Sequence, residues 1–147
     1  MRRFLKTAIG FLIGGLLLGG WMMIRRELAG SFPSQYLVSA HTHAILIGFV
    51  MMMILGVALW MFPRPAKDDA RYDVRLVNIA YWCLTIGTAA RVSGELLRTF
   101  HDQQWLRWAV VASGTAQIGG IALFFYTMWS RIRGVGSGIR EQRGEQF

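Results

Sequence analysis

The sequence predicts an all-α fold, a bundle of four transmembrane helices. Three observations carry that prediction. Of 147 residues, 54% are hydrophobic and the mean hydropathy is +0.37, which is too apolar for an ordinary soluble domain. Four apolar runs, at about residues 4–24, 36–62, 76–97 and 105–129, each reach the ~20 residues that a helix needs to cross a bilayer. The basic residues behind the net charge of +8 flank those runs and form no soluble basic domain. The expected organisation is a membrane domain over residues 1–133 and a cytoplasmic tail over 134–147.

The first run contains Gly10, Gly14, Gly15 and Gly19. Both Gly10/Gly14 and Gly15/Gly19 have the spacing that lets helix backbones approach closely. Its basic start resembles a signal peptide, but the apolar stretch is too long, and Arg25-Arg26 stands where small cleavage-site residues belong. An uncleaved helix is therefore expected. The turn residues Gly30-Ser31-Phe32-Pro33-Ser34 lead into the second run, which stops at Pro63-Arg64-Pro65. Ala66 to Arg75 reads as a mixed-charge loop. The third run holds the single cysteine, Cys83, so no internal disulfide and no Cys-x-x-Cys-His heme attachment is available. Tryptophans 21, 60, 82, 105, 108 and 129 lie toward run ends, as an interfacial belt would, and the same belt reading applies to Tyr36, Tyr81 and Tyr126. Gln117 in the fourth run is placed to bridge helices by hydrogen bonding. After Arg131 the chain is rich in Gly, Arg, Glu and Gln, a tail composition.

Charge fixes the expected topology. Arg2, Arg3 and Lys6, then Arg64, Lys67, Arg71 and Arg75, then Arg131, Arg133, Arg140 and Arg143 fall on one side. Arg25, Arg26, Arg98 and Arg107 fall on the other. The positive-inside rule places both termini in the cytoplasm, for a multi-pass protein of the cell inner membrane whose first partner is the lipid bilayer. Bases arranged this way argue against nucleic acid as a partner.

His41-Thr42-His43 opens the second run. Ionisable groups within membrane helices are costly and usually functional, and imidazole is both a common metal ligand and a heme axial ligand. Residues i and i+2 stand ~200° apart on an α-helix, so the two rings face opposite ways and suit two partners better than one shared metal. Gly48 lies two turns below His41 on the same face, where a missing side chain would admit a flat porphyrin. The bland alternative is an interfacial histidine hydrogen-bonded to water. Arg91, Glu95 and Arg98 in the third run fall at the depth of the histidines. Arg91 and Glu95 form an i,i+4 pair, and Arg91 or Arg98 is suited to the carboxylates of heme propionates. His101 reads as an exposed loop histidine. Met51-Met52-Met53 raises copper(I), which prefers thioethers, although consecutive helical residues diverge and ordinary packing is the simpler reading.

Ala40-His41-Thr42-His43-Ala44-Ile45-Leu46-Ile47-Gly48 resembles the His-x-His stretch of the main subunit of heme–copper oxidases. His41-Thr42 with Gly56 to Pro63 also resembles the second helix of their nitric oxide reductase relatives. The resemblance implies a four-helix unit like one third of that twelve-helix subunit. It further implies that His41 and His43 serve different hemes, and that three copies could reproduce the threefold layout. The family builds its oxygen-reducing centre with further histidines. This chain has three in all, so an enzymatic activity is left open. The leading expectation is a heme b-binding homotrimer that transfers electrons or binds oxygen or nitric oxide, with a possible redox partner. The expected metal ligands are His41 and His43, with Gly48, Arg91 and Arg98 also at the cofactor. The rivals are a membrane accessory, assembly or sensor protein, and a copper-binding membrane protein.

The charge asymmetry predicts opposite compartments for two reporter fusions, one after Arg133 and one in the turn around Gly30. The C-terminal reporter should be active only in the cytoplasm, and activity outside would overturn this topology.

Overall fold

A computed structural model describes residues 2–62 and 72–132. Its described elements are α1 (Arg2–Ala29), α2 (Gln35–His43), a π-helical segment (Ala44–Met51), α3 (Met52–Met61), α4 (Val74–Arg98) and α5 (Gln104–Met128), closed by a 3₁₀ turn (Trp129–Arg131). The second run is thus one long rod built from α2, the π segment and α3. Four rods result, and the chain is all-α among the described residues. The Pro63-Arg64-Pro65 stop, the loop bases Arg64, Lys67 and Arg71, and the tail from residue 133 lie outside the described residues.

The local ends follow from sequence chemistry. α1 continues five residues past the first apolar run, to Ala29, and stops where Gly30 takes φ +60°, a conformation glycine adopts without a Cβ clash. Ser34 caps α2 by accepting from the Leu37 amide at 3.3 Å, and Asp73 caps α4 by accepting from the Arg75 amide at 2.7 Å. Buried Arg131 donates to the carbonyls of Phe62 at 3.0 Å and Leu59 at 3.4 Å. It thereby satisfies acceptors left open at the end of α3, where a cation also suits the helix dipole.

Three rods (Arg2–Ala29, Gln35–Met61 and Gln104–Arg131) are both long and apolar enough to cross a membrane. α4 is not among them. It is long enough, at ~37 Å for 25 residues, but Arg75, Arg91, Glu95 and Arg98 lower its hydropathy. Two of its polar side chains, Thr88 and Glu95, are buried, whereas Arg75, Asn78 and Ser93 are exposed.

The rods pack mainly in sequence order, with α1 on the π segment and α3, α2 on α4, and α4 along α5. The main core lies toward the end that carries the N-terminus, where Phe4, Ala8, Met52, Leu55, Leu84 and Phe124 meet. Tyr81 belongs to this core and not to an interfacial belt. It is 8% exposed, its ring meets Phe4 at 5.0 Å, and its hydroxyl bonds Thr7 at 2.8 Å. Gln117 bridges α5 to α4 as expected, donating to Thr88 at 3.0 Å. Met52 is fully buried, with Met51 and Met53 packed on the same core.

Glycines set the closest approaches. A β-carbon at Gly48 would lie 2.5 Å from Phe11 Cγ, and one at Gly87 would lie 3.0 Å from the Ser113 carbonyl oxygen. Gly15 and Gly19 pack against Ile45 and His41 within the chain, whereas Gly10 and Gly14 meet nothing within 4 Å. Gly48→Ala should therefore destabilise the detergent-solubilised protein by about 1–3 kcal/mol through overpacking. Gly10→Ala and Gly14→Ala should be neutral or stabilising by up to ~1 kcal/mol, from helix propensity. Thermal unfolding of the three variants checks this; equal losses in all three would contradict the packing.

Candidate functional site

The histidines lie at the end of the bundle opposite the main core. His41 sits six residues into α2, ~9 Å along its axis. Its ring fills a notch in α1 left by the missing side chain of Gly19: a β-carbon there would stand 2.7 Å from His41 Cε1. That notch lets His41 Nδ1 reach the Gly15 carbonyl oxygen at 2.9 Å. His43 turns the other way, toward α4, as the i,i+2 spacing requires. Its Nδ1 lies 2.8 Å from the Ser39 carbonyl oxygen one turn back, with Ser39 Oγ at 3.3 Å.

A carbonyl oxygen only accepts, so Nδ1 must carry the proton in both rings. In the neutral imidazole the other nitrogen, Nε2, is then left with its lone pair free. This is the tautomer of a histidine that ligates through Nε2 while its second nitrogen is held by an outer hydrogen bond. The donor set fits an axial imidazole. Among the described residues no three His, Cys, Asp or Glu side chains gather as a metal cluster, so each imidazole is a single donor.

Beside His43 lies a buried ionic cluster. Ser39 Oγ donates to Glu95 Oε1 at 2.8 Å, and Arg91 Nε donates to the same oxygen at 3.2 Å. Glu95 Oε2 accepts no hydrogen bond among the described residues and stands 3.7 Å from His43 Nδ1. The side chain of Glu95 is only 5% exposed, against 24% for His43 and 26% for Arg91. Gly114 makes room for Arg91: a β-carbon there would stand 2.6 Å from Nη1. The Arg91–Glu95 pair follows from the i,i+4 spacing. Its connection to His43 through Ser39 does not, and the only signal in the sequence is the shared depth.

Arg98 is engaged elsewhere. It donates to the Tyr36 hydroxyl at 2.9 Å, lies 4.2 Å from the Tyr36 ring centroid, and donates to Asp102 at 3.2 Å. The Arg107 guanidinium, hydrogen-bonded to Asp102, holds that carboxyl below its ordinary value, and Arg98 acts in the same direction. These contacts fasten the α4–α5 connection to the start of α2. His101 is exposed in that connection.

Gly48 does share the α1-facing side with His41. The space left by its missing side chain is filled by Phe11. An apolar groove of about 400 Å³ runs instead between α1 and α4, lined in part by Gly10, Gly14, Leu18, Ala44, Val92 and Leu96. Its volume is in the range of small-molecule sites. The π segment beginning directly after His43 was not readable from the sequence. Wide helical turns of this kind are rare and concentrate at functional sites.

The family model for cytochrome c and quinol oxidase polypeptide I matches residues 1–139. The chain is also similar to the Cbb3-type cytochrome c oxidase subunit CcoN1 of Stutzerimonas stutzeri, at 27% identity over 143 residues. That alignment covers 86% of this chain and 30% of the relative, so the chain spans less than a third of that relative's length. No solved structure matches it significantly.

Proposed function

The chain belongs to the cytochrome c and quinol oxidase polypeptide I family, and from that premise we propose that it is a membrane electron-transfer protein holding heme b non-covalently through His41 and His43. The observation that carries this reading is the shared anchoring of the two rings. Each Nδ1–H is tied to a main-chain carbonyl, at 2.9 Å for His41 and 2.8 Å for His43. Each Nε2 is thereby left as the donor atom, and the two rings leave the helix on opposite sides.

When bound, heme would supply a one-electron couple, or a site for oxygen or nitric oxide. The chain's own residues do the rest. The Gly15 and Ser39 carbonyls fix ring orientation and tautomer. Arg91 and Arg98 would support the site electrostatically, since a guanidinium never ligates iron but binds carboxylates, through the donors that Glu95, Asp102 and Tyr36 do not use.

Oppositely directed donors on one helix leave at least one without its partner in a single protomer. A ring of identical copies gives both faces a use, and head-to-tail contacts close in cyclic symmetry. We take that ring as a homotrimer, on the threefold plan that the family resemblance implies, in the inner membrane with both termini cytoplasmic.

The purified protein should show a reduced-minus-oxidised heme b spectrum. His41→Ala or His43→Ala should abolish or shift it, and His101→Ala should not. The solubilised, heme-loaded complex should have the mass of three chains after correction for detergent. An unshifted spectrum in the double variant His41→Ala/His43→Ala would remove the ligand assignment. A heme-loaded monomer would refute ligation shared between copies.

A further inference from the structure

A buried carboxylate oxygen without a hydrogen bond is uncommon and costly, and Glu95 Oε2 is one. Its neighbours explain how it is held. Ser39 and Arg91 both bind the other oxygen, Oε1, at 2.8 and 3.2 Å. Arg91 engages through Nε, without the two-pronged contact that a guanidinium can make with a carboxylate. The Arg91 guanidinium pairs with the Glu95 carboxylate as an i,i+4 ion pair at 3.2 Å. Oε2 is the end of that charge left uncommitted, 3.7 Å from His43 Nδ1.

We infer that Glu95 is a positioning residue that makes His43 a stronger electron donor than His41, and so biases an iron ligated at His43 toward its oxidised state. The inference rests on the ligand reading of His43 given above. The physical step is electrostatic. Negative charge beside Nδ1–H polarises that bond and raises the electron-donor strength of Nε2 toward a bound metal, as outer-shell carboxylates do for ligating histidines. Among the hydrogen bonds described for His41, the corresponding acceptor is the neutral Gly15 carbonyl. The same helix therefore presents two imidazoles of unlike donor strength, one backed by a peptide dipole and one by a peptide dipole plus a carboxylate. Ser39 joins the two halves of the device. Its carbonyl fixes the ring, and its hydroxyl fixes the carboxylate that acts on the ring.

The test is a redox titration of the purified, heme-loaded protein, followed optically, for the wild type and four variants. Glu95→Gln keeps the shape and removes the charge. It should shift the oxidised/reduced balance about tenfold toward the reduced form, which is about 59 mV upward for a one-electron couple. Glu95→Asp, which keeps the charge, should move the potential less. Glu95→Gln leaves Arg91 buried and unpaired. Should that variant not accumulate, Arg91→Gln/Glu95→Gln removes both charges, and its potential should also rise, by a smaller amount. A potential unchanged from wild type in whichever of these accumulates, while His43→Ala still alters the spectrum, would overturn the inference and leave the ligand reading standing. A spectrum unaffected by His43→Ala, or a wild-type protein without heme, would overturn both. A purely structural Arg91–Glu95 pair would change stability in these variants without moving the potential.

Discussion

A neutral histidine inside an apolar helix has two ring nitrogens to account for, and the hydrogen bond made by one decides the chemistry of the other. In this protein both decisions go the same way. Main-chain carbonyls of Gly15 and Ser39 accept hydrogen bonds from the Nδ1–H groups, and both Nε2 atoms keep their lone pairs. The Ser39 carbonyl is local to the helix and comes with its geometry. The Gly15 carbonyl is within reach because α1 lacks a side chain at Gly19, where the His41 ring approaches, so the packing of α1 on α2 and the tautomer of His41 are set together.

The rest of the bundle supports that end without reaching it. The main core gathers Phe4, Met52, Leu84 and Phe124 toward the end that carries the N-terminus, whereas the histidine end joins buried Leu37, Ala40, Ala44 and Leu106 with polar fastenings: the Ser39–Glu95–Arg91 cluster and the Tyr36–Arg98–Asp102–Arg107 chain. In a low-dielectric interior such contacts are strong but depend on complete pairing. A buried cluster with one oxygen held uncommitted beside a histidine is therefore the part of the structure least explained by stability alone.

Much of this was legible in the sequence. Apolar run length marked the four rods, and the i,i+2 spacing made His41 and His43 diverge, toward α1 and α4. The i,i+4 spacing paired Arg91 with Glu95. What stayed hidden depends on which neighbour fills a gap. Gly48 has no side chain and faces α1, as read, but Phe11 takes the space, because a glycine notch in a bundle serves a neighbouring helix as readily as a cofactor. Tyr81 resembles an interfacial tyrosine by residue type alone, and its burial follows from Thr7 and Phe4 on another rod. The π segment left no trace because Ala44 to Met51 is apolar throughout, and a uniformly apolar stretch has no periodicity from which a change of helical pitch could be read.

The central proposal is that the two divergent, carbonyl-anchored imidazoles would each hold a heme, the second imidazole coming from a neighbouring copy. Electron paramagnetic resonance of the oxidised, purified protein tests it most directly. The account predicts a low-spin ferric signal of a heme with two imidazole ligands, lost when His41 or His43 is replaced. A protein without a heme signal, or one whose iron is wholly high-spin, would contradict it.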